Sequence, residues 1–228
     1  MANRLPGVVR SSIVPIKGFD CHQVLGAASA KAFYHEGYRF CLRYLNIGSN
    51  HIQEQISYAE CCHILDSGLA LMLVQRVTDL NWQPSASLGT HHGEMIAKLT
   101  SAMGIPEGMN LWCNLTGAGY TPNDHILNYC NHWFDAVHKW GFVPGMYVDS
   151  KNKLCSEEIL PDLKFNHYWK SESRVPDIAG RGYQMIRAPS CNHTGVVDGL
   201  LIHPSTLKSD PKGEGVFWLV KSEVSNEV

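Results

Sequence analysis

The sequence predicts an α/β protein whose strands close into a ring, a TIM-type (β/α) barrel. Three observations predict it. Helical segments that end in glycine are followed at once by apolar strands, from about residue 18 to 150. The strands LALMLV and LWCNL are apolar on both faces, as strands covered by helices must be. Eight strand-like segments can be counted, GFD, FCLRYL, LMLVQ, LWCNL, GMYVD, HYWKS, YQMI and VVDGL, and eight strands close a barrel of this kind.

The elements follow in order. After GFD, SAKAFYHEG leads into YRFCLRYL, and ISYAECCHILDSG leads into LALMLVQRV. GEMIAKLTSAMG leads through IPEGMN into LWCNL, and ILNYCNHWFDAVHKWG leads into FVPGMYVD. Gly37, Gly68, Gly104 and Gly141 each stand where a left-handed cap ends a helix. Asn50 and Gln53 have capping-box spacing, and Thr121, Pro122 and Asp124 read as N-cap, first and third helical positions. Ile126, Cys130, Trp133, Val137 and Trp140 form an apolar stripe on the fourth helix, with His125, His132 and Lys139 opposite.

The last third breaks the rhythm. KFNHYWKSE, GYQMIRA and GVVDGLLI read as strands with few helices between them. The eight residues from Ala188 to Gly195 are too few for a parallel crossover, so an antiparallel ending is expected. GVFWLV is an extra strand or a packing arm. No Ser/Gly-rich linker divides the chain, which reads as one domain, 1–228, with a core of about 17–203 and a C-terminal extension, 204–228. An open doubly wound sheet is the competitor. Its nucleotide-binding form lacks a Gly-rich loop after the first strand here.

Composition excludes several functions. Of 228 residues, 44% are hydrophobic and 18% charged, which supports a packed core. The formal net charge is -2, with no basic block to meet nucleic acid. No apolar run approaches the length of about 18 residues that spans a bilayer. The first twenty residues lack the apolar core of a secretory signal, so a cytoplasmic product is expected, exported only by a route that reads something else. The eight cysteines include no CxxC pair and read as buried thiols. HHGE at His91 and His92 lacks the HExxH spacing of a zinc site and reads as the surface of a helix start. A Cys21–His22 nucleophile has no feature to activate it. No metal or cofactor motif is present, so none is expected.

In such barrels the working residues stand at the C-terminal ends of the strands. Those ends supply Asp20, Arg43, Gln75, Asn114 with Thr116, Tyr147 with Asp149, Trp169 with Glu172, Gln184, and Asp198. Carboxylates, amides and aromatic rings together suit a sugar: flat rings stack on its apolar faces, and the polar groups hold its hydroxyls.

GFDCHQ, GYRFCLRYLN, ISYAECCHILDSGLALMLVQ, IPEGMNLWCNL, GFVPGMYVD, HYWKSE, GYQMI and GVVDGLLI, in this order, resemble a glycoside-hydrolase-like family, long labelled a domain of unknown function. That family is related to the Chalaropsis-type (family 25) lysozymes. The resemblance covers roughly residues 17 to 203. It implies a lysozyme-type barrel with fewer than eight helices and an irregular final portion, acting on or recognising bacterial cell-wall glycan.

The resemblance also exposes a difference. The related lysozymes end the fourth strand in an acid-apolar-acid triplet, where this chain has Asn114, Leu115 and Thr116. Glycoside hydrolysis generally needs two carboxyl groups, roughly 5–5.5 Å apart for retention and 6.5–9.5 Å for inversion. Two readings follow. Either the acids lie on other strands, with Asp20 paired to Glu172 or Asp149 and with Asp198 in reserve, or the barrel has lost hydrolysis and serves as a glycan-binding or interaction module.

Overall fold

The computed structural model describes residues 5–12, 15–48, 54–149, 160–171, 182–188, 195–197, 200–207 and 215–222. Among them the chain forms strands β1 (Gly7–Ser12), β2 (Lys17–Cys21), β3 (Phe40–Ile47), β4 (Ala70–Val77), β5 (Asn110–Cys113) and β6 (Val143–Val148). Strands β7 (His167–Ser171), β8 (Met185–Arg187), β9 (Gly195–Val197), β10 (Leu200–Leu207) and β11 (Val216–Lys221) follow. The helices are α1 (Ala27–His35), α2 (Tyr58–Asp66), α3 (Ala86–Ala102) and α4 (Asn123–Lys139).

Eight strands close the ring in the order β4-β3-β2-β10-β8-β7-β6-β5, and β5 returns to β4. The pairings from β2 through β8 are parallel. β10 runs antiparallel to both β8 and β2, placing Ser205 beside Arg187 and His203 beside Asp20. The result is the barrel with few helices and an antiparallel close that the sequence predicts.

The eighth ring strand is not VVDGL. That segment is divided: Val196 and Val197 belong to β9, which pairs antiparallel with the start of β10, and the ring is closed by the later part of β10. The ring therefore extends past residue 203. β1 has no counterpart in the sequence reading. It pairs along its length with β11, and β11 meets β4 at Leu71, below the point where β5 reaches β4 at Leu73. Trp218 of β11 enters the barrel, 5.4 Å from the ring of Phe40. The Phe217 N–H donates to Asn110 Oδ1 at 2.7 Å. The tail thus stops the N-terminal end of the barrel.

Strand alternation sorts the core into two layers. Phe40, Leu42, Tyr44, Met72, Val74, Trp112, Tyr147, Trp169 and Met185 fill the interior. Cys41, Leu45, Leu71, Leu73, Leu111, Cys113 and Met146 face the helices. The four cap glycines take positive φ as expected. Helix starts differ from expectation. Ser57 caps α2 by accepting from the Glu60 N–H at 3.2 Å, while Asn50 and Gln53 lie outside the described residues. Pro122 stands at the cap of α4, and Thr121 donates instead to Gln83 Oε1 at 2.9 Å. α3 and α4 pack closely because of Gly89: a Cβ there would lie 2.2 Å from the Tyr129 carbonyl oxygen.

Candidate functional site

β2 carries Asp20 on the interior face of the ring, where it is 0% exposed. Arg187, the last residue of β8, reaches it with two bonds, Nε to Oδ1 at 2.7 Å and Nη2 to Oδ2 at 2.8 Å. The Tyr44 hydroxyl also donates to Oδ2, at 2.7 Å. A bidentate guanidinium and a phenol thus hold both carboxylate oxygens of a sealed acid. Burial alone would lower the Arg187 pKa, but the Asp20 charge and its hydrogen bonds outweigh that and raise it. Burial first, then Asp20, pushes the Tyr44 hydroxyl well above its usual range, so it stays a donor.

The network continues toward the surface. Arg187 Nη1 donates to the Tyr147 hydroxyl at 3.4 Å, and that hydroxyl donates to Asp149 Oδ2 at 3.2 Å. Burial raises the Tyr147 pKa, with Arg187 opposing. Asp149, just past the end of β6, is half-buried. The His22 ring stacks on Tyr44 at 3.8 Å. Its Nδ1 lies 3.1 Å from Arg76 Nη1; a guanidinium only donates, so the imidazole proton is assigned to Nε2.

Asp149 and Arg187 form one wall of a cleft of about 440 Å³. The other wall is the segment Leu115–Tyr120 with Pro84 and Ile126. Tyr120 is 84% exposed there. The loop is pinned from both sides. Asn114 Oδ1 accepts from the Thr116 N–H at 2.8 Å. Asn81 N–H donates to the Gly117 carbonyl at 3.1 Å, and Gly119 N–H to the Trp82 carbonyl at 2.8 Å.

Of the eleven residues singled out from sequence, Asp20, Tyr147 and Asp149 are joined through Arg187, and Thr116 lines the cleft beside them. Asn114 spends its side-chain oxygen on its own loop. Trp169 is a buried interior residue, 4.4 Å from the ring of Tyr147, and packs beneath the network. Glu172 and Asp198 lie outside the described residues.

Three expectations are corrected. Arg43 points to the helix side of β3, where Nε meets Glu60 Oε1 at 2.5 Å and the other nitrogens meet the carbonyls of Cys21 and Glu54. Glu60 Oε1 also accepts from Leu25 N–H at 2.8 Å, so this ion pair anchors the loop after β2. Gln75 faces the helices too, bonded to the Tyr129 hydroxyl at 2.9 Å, to Trp133 Nε1 at 2.6 Å and to the Asn114 carbonyl. Gln184 precedes β8 and accepts from the Tyr168 N–H at 2.6 Å. Buried amides and charges of this kind are held because they are fully paired.

Arg187 and Tyr44 were the residues the sequence reading missed. Alternation supplies a signal for Tyr44: Asp20 pairs with Leu42, and Tyr44 is the next residue of that interior face. His92 is also not a surface residue. It is buried, with Nδ1 3.0 Å from the Tyr129 hydroxyl. Burial, then the neighbouring His91, lowers its pKa to about 4. Burial pushes the Cys21 thiol up to about 11, which removes it as a nucleophile. Among the described residues no group of three His, Cys, Asp or Glu is placed to hold a metal. No helix of the described residues is long and apolar enough to cross a membrane.

Comparison with known proteins places this geometry. The model of the Rv2525c-like, glycoside hydrolase-like domain matches residues 31–187. No curated protein sequence matches the chain. The Mycobacterium tuberculosis Tat-secreted protein Rv2525c, solved with HEPES, superposes with a TM-score of 0.63 at 15% identity, covering 87% of this chain and 99% of that one. A family 25 glycosyl hydrolase from Bacillus anthracis gives a TM-score of 0.56 at 9% identity, covering 86% and 90%. A muramidase from Acremonium alcalophilum gives 0.54 at 13% identity, covering 86% and 95%. At these identities the superpositions speak for the fold.

Proposed function

The chain belongs to the Rv2525c-like, glycoside hydrolase-like family, and from that premise we propose that it binds glycan of the bacterial cell-wall type in the cleft beside Asp149 and Arg187. The observation that carries this reading is the state of Asp20. A carboxylate that is 0% exposed, with both oxygens occupied by Arg187 and Tyr44, is a structural anion that holds Arg187 in place. It is poorly suited to attack a sugar or to activate water. The fourth strand offers Asn114 and Thr116, neither of which donates a proton as an acid near neutral pH.

Asp149 and Arg187 then accept from and donate to sugar hydroxyls. Tyr120 stacks on a pyranose face, and the backbone of Thr116–Gly119 lines the wall opposite Asp149 and Arg187. The Mycobacterium tuberculosis neighbour is a Tat-secreted protein, and we extend export to this chain. Hydrolysis is the second reading. It is favoured by the place of Asp149, a carboxylate on the cleft wall bonded to a phenol, which suits an acid or a base. That reading needs a second carboxyl group, for which Glu172 is the candidate.

Calorimetric titration with soluble peptidoglycan strands tests the proposal. The expected result is saturable binding, weakened roughly tenfold in Tyr120→Ala by loss of an aromatic contact and also weakened in Asp149→Asn. Absence of binding to any wall fragment would overturn it. Release of reducing ends that disappears in Asp149→Asn would replace it with the second reading.

A further inference from the structure

The apolar stripe of α4 predicts that Trp140 is buried, and it is not. Trp82, Trp112, Trp133, Trp169 and Trp218 are all buried, whereas Trp140, directly after α4, is 38% exposed. It stands at the N-terminal end of the barrel, away from the cleft described above. There its indole borders a groove of about 940 Å³ between α3 and the end of α4. A second hollow of about 610 Å³ shares Trp140 and Glu107 with the first.

The platform is fixed. Trp140 N–H donates to the Val137 carbonyl at 3.1 Å and Gly141 N–H to the His138 carbonyl at 2.9 Å. Gly108 N–H donates to the Gly141 carbonyl at 2.8 Å, tying this turn to the segment before β5. Gly141 has φ +80, and a Cβ there would lie 2.6 Å from Glu107 Oε2, so the missing side chain lets that carboxylate rest against the turn. A binding surface that is already ordered costs little to organise.

Its chemistry is specific. Glu94 and Glu107 supply two carboxylates to the rim, and Lys98 and Lys139 supply two ammonium groups. The ion pairs found among the described residues involve none of the four. Opposite charges in equal number do not select an anion or a cation. They present donors and acceptors around an exposed indole face, which is what a neutral polyhydroxylated ring requires. A protein partner would need a larger apolar core than Trp140 and Met95 provide.

We propose that this groove is a second saccharide site, separate from the barrel mouth, which takes a neutral stretch of N-acetylhexosamine glycan against Trp140. The choice of ligand class rests on the proposed function of the mouth; the geometry does not. Two sites at opposite ends of the barrel let one molecule hold two points of a glycan network, which strengthens attachment without new contacts at either site.

The test is a titration of the full chain with tetra-N-acetylchitotetraose, followed in a nitrogen-proton correlation spectrum. The Trp140 indole N–H is assigned from Trp140→Phe, and the Tyr120 backbone amide reports on the mouth. Movement of the Trp140 resonance, reduced in a Glu94→Gln/Lys98→Met double variant whose Tyr120 response is unchanged, establishes the groove. Movement at Tyr120 with none at Trp140 overturns the second site and leaves the mouth intact. Movement at Trp140 alone supports the groove and removes the support for the mouth. No movement at either overturns both.

Discussion

At the residue scale, the decisive feature is a carboxylate that the fold conceals. Asp20 is buried and matched by Arg187 and Tyr44, so its charge is tolerable only while the partners remain. Removing one member of such a pair costs about 3–5 kcal/mol, because the other charge is left buried and unpaired. Arg187→Ala is therefore expected to lower unfolding stability in denaturant by that order. Simultaneous Asp20→Asn should restore part of the loss, since the stranded charge is then gone. Failure of the double variant to recover anything would mean that Asp20 is not held by Arg187 in solution. His92 gives a second residue-scale prediction, on pH. Its pKa is about 4 in the folded chain against 6.5 for an ordinary histidine, so the unfolded chain binds the proton first as pH falls. The folded state is fully favoured above pH 6.5 and loses stability as pH falls toward about 4, by up to about 3 kcal/mol. His92→Gln should flatten this slope in thermal melts recorded across that window; an unchanged slope would assign it to other groups.

At the element scale, the β1–β11 ribbon is part of the barrel and not an appendage. Trp218 lies against Phe40 inside the ring, and Phe217 is bonded to Asn110 at the base of β5. Trp218→Ala should cost about 3–5 kcal/mol, as for other buried aromatic truncations, read from the denaturant midpoint. A cost under about 1 kcal/mol would show that the ribbon is dispensable. The helix-strand units up to β6 were legible in the sequence because each carries its own period and its own cap glycine. Of the ribbon, β11 was legible as the GVFWLV segment, but β1 was not, because its partner is about two hundred residues away and only that long-range pairing makes it a strand. The split of VVDGLLI was hidden for the same reason: an apolar run does not say where it turns. Gln184 precedes β8 and so lies at the far end of its strand from the mouth, whereas Arg43 and Gln75 read as mouth residues from their position along a strand. Whether a side chain at that height faces the interior or the helices is set by alternation, which sends Arg43 to Glu60 and leaves the interior to Tyr44. Asp20, Tyr147 and Asp149 were legible because their strands were correctly aligned, but the residue that joins them, Arg187, lies in a segment with no helical rhythm to mark it.

At the scale of the whole molecule, an eight-stranded ring brings β2, β6 and β8 together at one end and leaves the turn after α4 at the other. Balanced charge follows through to binding. With a net charge of -2 and no basic block in the sequence, attachment to glycan should change less than about twofold between 0.05 and 0.5 M salt, since few counterions are released. A steep salt dependence in a pelleting assay with purified cell walls would instead point to an anionic ligand. The central question is whether the mouth holds glycan or cuts it. Prolonged incubation of the purified full chain with peptidoglycan, scored by new reducing ends, decides this most directly. Protein is expected to accumulate on the wall material while reducing ends stay at the level of the protein-free control. Reducing ends that rise with time and protein concentration, and are lost in Asp149→Asn, would overturn this reading in favour of hydrolysis.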